Sequence, residues 1–210
     1  MNQLHTPTDS CPGRLLDAGE QLFAKYGFDG ASVREITGLA AANLGAITYH
    51  FGSKAGLYEA VIARAQEGML ERLEAAAWGS GTSLDRIEAV VRAHFGYLDE
   101  RPTLRRLLMQ VVLVDQAIPP SALSRLRRVL GLVATLVAQG QTDGQIRAGD
   151  PVALTVAVVA QPLMLNLLRD ALRAVPQLDL EDPATRGTMM DEAVRFVRAG
   201  LSRPRRKETT

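Results

Sequence analysis

Helical periodicity runs through almost the whole of this chain, and no stretch of alternating apolar and polar residues bounded by turn residues interrupts it. A half-buried strand needs that alternation, because successive side chains leave a strand on opposite faces. An all-α fold is therefore the reading. With 210 residues, 47% hydrophobic and 5% aromatic, the chain can form one large domain or two small ones, each with a real core. Its 24 basic and 23 acidic residues give a formal charge of +1, so any contact with DNA has to be local rather than a global attraction. Cys11 stands alone and the three histidines lie far apart, which leaves no internal disulfide and no metal-ligand spacing. No metal or other cofactor is expected, and a reducing, cytoplasmic setting is. Residues 1–12 lack the basic start and apolar run of a signal peptide. The apolar segment from Val152 to Leu168 is interrupted by Gln161, Pro162 and Asn166 and is shorter than the roughly 20 residues of a membrane span.

The first helix is read from Gly13 to Tyr26, with Leu15, Leu22 and Tyr26 on one stripe and Gly27 as the left-handed residue that ends it. Ser32 and Glu35 form the pattern of a capping box, which fixes the start of a second helix. Val33, Ile36 and Ala40 face one way along it. Asn43 is a good N-cap for a third helix whose apolar face continues through Leu44, Ile47 and Phe51. A long helix follows from Lys54 to Ala76, and the run from Trp78 to Thr82 marks a turn. Further helices are read over Ser83 to Glu100, Thr103 to Asp115 and Ser121 to Gln139, the first two stopped by prolines. Asp150-Pro151 and Asp182-Pro183 each place an N-cap before a proline in the first turn, and the last helix ends near Leu201. The basic tail, residues 203–210, is too poor in apolar residues to fold.

Two short helices joined by a tight turn are the sequence form of a helix-turn-helix, and equally of an ordinary helical corner. The third helix offers Gly45, Ala46, Thr48, Tyr49 and His50 on its non-core side. Small residues let a helix end sit deep in a major groove, and hydroxyl or imidazole groups can bond phosphates or base edges.

The stretch from Leu15 to Leu57 resembles the DNA-binding domain of the TetR family of one-component regulators. The likeness rests on Phe23-Ala-Lys-Tyr-Gly-Phe28, Ser32-Val-Arg-Glu-Ile36, Tyr49-His-Phe-Gly-Ser-Lys54 and Gly56-Leu-Tyr58. The resemblance implies a helix-turn-helix domain over 13–60 and a helical effector-binding and dimerisation domain over 61–202. It also implies DNA contacts at Ser32, Arg34, Asn43, Leu44, Gly45, Ala46, Thr48, Tyr49, His50 and Lys54. Two features depart from the family. Ala41 stands where glycine is usual, at a cost of about 1 kcal/mol if that residue takes a positive φ. The first 60 residues hold four basic side chains (Arg14, Lys25, Arg34, Lys54) against six acidic ones (Asp9, Asp17, Glu20, Asp29, Glu35, Glu59), a net of −2. Such a domain should show a shallow salt dependence for its class.

Positive charge gathers instead at Arg101, Arg105, Arg106, Arg125, Arg127 and Arg128, either a solvated face or a site for an acidic effector. The family's effector cavity suggests His94, Tyr97, Gln110, Gln116 and Gln161 as polar anchors, with Arg105 and Arg106 beside them and Met109 and Met164 as walls. Val152 to Leu168 is apolar around most of its circumference, so it needs a neighbour beyond its own core. The resemblance places a homodimer there, and Leu154, Val158, Gln161, Leu165, Leu168, Met189, Met190, Ala193, Val194 and Val197 are the expected interface. The chain is thus expected to be no enzyme, since it has no nucleophile elbow, phosphate loop or paired histidine and carboxylate on one face. The expected partners are a two-fold DNA operator, a second copy and a small-molecule effector, with no membrane. A repressor released by its effector is the reading; an activator of the same fold, or a helical enzyme or carrier without DNA binding, is the alternative.

Overall fold

The computed structural model describes residues 10–114, 118–172, 175 and 178–203. Among them the ordered elements are helical, apart from one isolated bridge between Ile146 and Ser202. In order they are α1 (Cys11–Gly30), α2 (Val33–Leu39), α3 (Ala46–Phe51), α4 (Lys54–Ala77), α5 (Ser83–Asp99) and α6 (Pro102–Met109). A π-helical turn (Gln110–Val114) follows, then α7 (Pro120–Thr142), α8 (Pro151–Leu167), α9 (Arg169–Leu172) and α10 (Pro183–Leu201). No helix among the described residues is long and apolar enough to cross a membrane.

Caps explain most of these boundaries. Ser32 Oγ accepts from the Glu35 amide at 3.1 Å while the Ser32 amide donates to Glu35 Oε2 at 3.1 Å, the reciprocal arrangement expected from the sequence. Asp150 Oδ1 accepts from the Val152 and Ala153 amides at 2.7 and 3.0 Å, and Asp182 caps α10 in the same way. Several boundaries differ from expectation. Ser10 caps α1 through the Gly13 amide, so that helix begins earlier, at Cys11. Gly27 takes a positive φ, +71°, but its ψ of 178° is not that of a left-handed helical cap, and one further turn follows it to Gly30. The segment read as one helix from Thr103 to Asp115 widens into a π turn after Met109; Asp115 lies outside the described residues, as do residues 204–210 of the tail.

The chain divides into two compact units. The first comprises Met1–Gly68 with Arg101–Arg125. Its core holds Leu15, Phe23, Ile36, Ile47, Leu57 and Val61, and Tyr58 meets the Phe23 ring edge-on at 4.9 Å. Helix α6 packs on α1 and contributes Leu104 and Leu107. By packing, this unit takes in α6, which comes from far along the sequence and completes the apolar face of α1. The second unit comprises Met69–Glu100 with Leu126–Thr210. There α5 packs against α8 and α10 around Ile87, Val91, Leu98, Val158, Val194 and Val197. The loop between α7 and α8 is tied to the end of α10, with the Arg147 amide donating to the Leu201 carbonyl at 2.8 Å.

Candidate nucleic-acid interface

Helices α2 and α3 meet through the turn from Ala40 to Gly45. Ala41 is the one non-glycine with positive φ among the described residues, at +47°. Its amide donates to the Gly38 carbonyl at 3.2 Å, and the Ala42 amide to Thr37 at 2.9 Å, so the backbone groups at the end of α2 are satisfied within the turn. Arg14 reaches over from α1, its Nε donating to the Ala40 carbonyl at 3.0 Å. A cation at a helix C-terminus complements the partial negative charge of its last carbonyls. At the other end of α3, a Cβ on Gly56 would sit 2.0 Å from the Phe51 carbonyl oxygen, so only glycine lets the first turn of α4 pass so close.

Helix α3 starts later than the sequence suggests. Asn43 does not cap it with its side chain; its carbonyl accepts from the Ala46 amide at 2.9 Å, and Gly45 occupies the cap position with helical dihedrals. Leu44 consequently lies in the turn ahead of the helix and is 55% exposed instead of extending the core face. Ile47 alone anchors α3 in the core, with Phe51 half-buried.

The remaining side chains form one exposed face: Asn43, Leu44, Gly45, Thr48, Tyr49 and His50 are exposed and Ala46 half-buried. Tyr49 is 84% exposed, and its ring meets that of His50 edge-on at 4.8 Å. Neither ring packs into the core. A shallow concavity beside α3 is lined by Cys11, Arg14, Ala41, Ala42, Asn43, Gly45, Ala46, Tyr49 and His50. Arg14 and Cys11 were not legible as its neighbours, since they come from the first turn of α1.

Charge around this face is arranged differently from the sum. Arg64, outside the first 60 residues, lies 2.8 Å from Asp17 and 3.1 Å from Glu20. The Glu35 carboxylate is taken up by the Ser32 amide and hydroxyl, which hold it below its ordinary range. The Ser32 hydroxyl is thereby committed too, donating to Glu35 Oε2 at 2.6 Å. Arg34 is exposed and makes no ion pair with a described residue. Lys54 is half-buried, its Nζ 4.6 Å above the Phe28 ring, a placement that holds the ammonium close to the end of α3.

The candidate effector residues fall into different places. His94 and Tyr97 are buried on α5, and desolvation pushes the His94 imidazole down to about 4. Gln161 is half-buried and Met164 exposed on α8. Arg105 is 3% exposed while Arg106 points to solvent, because neighbouring residues on a helix face different ways. Met109 and Gln110 are half-buried, the Gln110 amide lying against Gly27; Gln116 lies outside the described residues. Arg128 pairs with Glu74 at 2.7 Å.

A charged network in the second unit had no sequence signal. Asp99 accepts from Arg169 Nη1 at 2.5 Å and from Arg186 Nε at 3.1 Å, and both arginines donate to the Leu180 carbonyl. It borders a narrow cavity that Phe95, Leu165, Asn166 and Met189 close. Its members come from three distant segments, and spacing along the chain does not connect them.

Among the expected interface residues, Leu154, Val158, Ala193, Val194 and Val197 are buried within their own unit. They pack α8 and α10 on α5 and leave little of their own surface for a second copy. Gln161, Leu165, Met189 and Met190 are half-buried and Leu168 is exposed. The apolar side chains left to solvent on these helices are Val152, Val156, Met164, Leu168 and Phe196.

Residues 15–61 match the family model of bacterial regulatory proteins, tetR family. The chain is 30% identical over 111 residues to the probable HTH-type transcriptional regulator YttP of Bacillus subtilis, a match that spans 52% of this chain and only about half, 54%, of that one. It is 24% identical over 185 residues to the HTH-type transcriptional regulator UidR of Escherichia coli, covering 88% of this chain and 91% of that one. The transcriptional regulator FadR of Bacillus subtilis, solved in complex with stearoyl-CoA, shares the fold with a TM-score of 0.76 at 15% identity, over 90% of this chain and 98% of that one.

Proposed function

We propose that this chain, a transcriptional regulator of tetR type and not an enzyme, works as a homodimeric repressor that leaves a two-fold operator when a small molecule binds. The observation that carries the reading is the exposed face of α3, where Tyr49, Thr48 and His50 stand out from a helix held in the core by Ile47. A protein-only fold has no use for such a face, while a DNA groove offers phosphates to the hydroxyls and base edges to the small residues. DNA binding is assigned to residues 13–60, with Arg34, Tyr49 and Lys54 as backbone contacts. Effector binding and dimerisation are assigned to residues 61–202.

Two copies are needed because one six-residue recognition helix buries too little for operator affinity, and a two-fold pair reads two half-sites at a fixed spacing. The exposed apolar stripe of α8, Val152, Val156, Met164 and Leu168, with Phe196 of α10, is the surface a second copy would cover. For the effector, the stearoyl-CoA bound by the similarly folded FadR makes long-chain acyl-CoA the first compound class to try.

The test is a gel shift with duplex from upstream of the chain's own gene, using Arg34→Ala and Tyr49→Ala as controls. A specific complex weakened by both variants supports the reading. No specific shift at moderate salt defeats it.

A further inference from the structure

We infer that the bases beneath α3 in each operator half-site are A·T pairs, read mainly through thymine methyl groups, with Leu44 as the principal methyl contact. The inference rests on the DNA-binding reading above and narrows it to a class of sequence.

From Ala41 to Ser53 the chain contains no arginine, lysine, aspartate or glutamate. Those are the side chains that read G·C pairs best: arginine or lysine pairs with guanine O6 and N7, and a carboxylate accepts from the cytosine amino group. The α3 face cannot supply either. What it does supply suits the other pair. Leu44, 55% exposed in the turn, is flanked by Gly45 and Ala46, whose small side chains leave it standing beyond its neighbours. A Cβ on Gly45 would have nothing within 4 Å among the described residues, so the backbone beside Leu44 stands open there. The 5-methyl of thymine is the one apolar group that a base edge presents in the major groove. Thr48 brings a methyl of its own, and Asn43 carries an amide of the kind that pairs with adenine N6 and N7. The rings of His50 and Tyr49 can each donate to guanine N7, but they meet edge-on in the last turn of α3, several residues beyond Leu44.

The experiment selects binding sites from random-sequence duplexes with the full chain, then replaces each selected thymine in turn with deoxyuridine, which lacks the methyl. The expected result is A·T enrichment at adjacent positions in each half-site and a loss of about fourfold in affinity at one or two thymines, the value for one buried methyl. In Leu44→Ala that loss should vanish at one position, while Tyr49→Ala keeps it; thermal melting checks that both variants fold. Selected half-sites built on G·C pairs, or equal affinity for uracil duplexes throughout, overturn the inference while leaving DNA binding intact. If no sequence is enriched at all, the DNA-binding reading fails and this inference with it.

Discussion

Replacing Ala41 by glycine should stabilise the protein, although glycine usually weakens a fold. Ala41 holds φ at +47°, where a Cβ crowds the following carbonyl at a cost of about 1–2 kcal/mol. Glycine removes that crowding but adds freedom to the unfolded chain, which returns roughly 0.5–1 kcal/mol of the gain. The balance is a stabilisation of about 0.5–1 kcal/mol, or about 1–4 °C in Tm for a domain of this size. The control lies three residues earlier. Gly38 sits in α2 without a positive φ, and a Cβ there would meet nothing within 4 Å, so Gly38→Ala should also stabilise, by about 0.5–1 kcal/mol. The turn thus carries alanine where glycine fits and glycine where alanine fits. Urea and thermal unfolding of wild type, both single variants and the double variant, all at one protein concentration, read the effect. If Ala41→Gly is neutral or destabilising while Gly38→Ala behaves as expected, the argument from backbone strain is wrong. A gel shift of Ala41→Gly should match wild type, since Ala41 contributes shape and no polar side-chain group.

Three further outcomes follow from particular side chains. Arg34→Ala should weaken binding to all sequences alike and lower the slope of log affinity against log salt by about 1; titration at several salt concentrations measures it, and an unchanged slope removes Arg34 from the phosphate contacts. Asp99→Ala leaves Arg169 and Arg186 without their shared carboxylate and should cost about 3 kcal/mol in urea unfolding; a loss below about 1 kcal/mol would mean that the carbonyl of Leu180 is partner enough. The buried His94 titrates near 4 in the folded chain instead of at its ordinary 6.5, so below pH 6.5 the unfolded chain binds a proton that the native one refuses. Stability should fall from pH 6.5 toward pH 4 by on the order of 3 kcal/mol and then level off, and His94→Leu should abolish that part of the pH dependence.

The helices and their starts were largely legible because a cap is a local device. Ser32 with Glu35, Asp150 and Asp182 each act within three residues of sequence. The start of α3 misled because Asn43 uses its carbonyl and not its side chain, and sequence does not distinguish the two. The exposed face of α3 was legible; Leu44, which periodicity put on the core face and the family resemblance among the DNA contacts, is exposed because α3 starts late. The interface residues were harder. Leu154, Val158 and Val194 carry the period of a buried stripe, but periodicity does not say whether the covering surface belongs to the same chain or another. Asp99, Arg169 and Arg186 were invisible because their pairing spans 70 and 87 positions.

The pairing of Arg64 with Asp17 and Glu20, together with the uncharged face of α3, bears on how the regulator would share its time in a genome. Every chromosome presents a vast excess of irrelevant sequence, held to proteins chiefly by cation contacts with phosphate. Among the described residues near this face, Arg34 and Lys54 are the cations placed for that contact in the proposed complex, so bystander DNA would retain the regulator only briefly. A small number of copies could then keep an operator occupied, because little of the pool is lost to competitors.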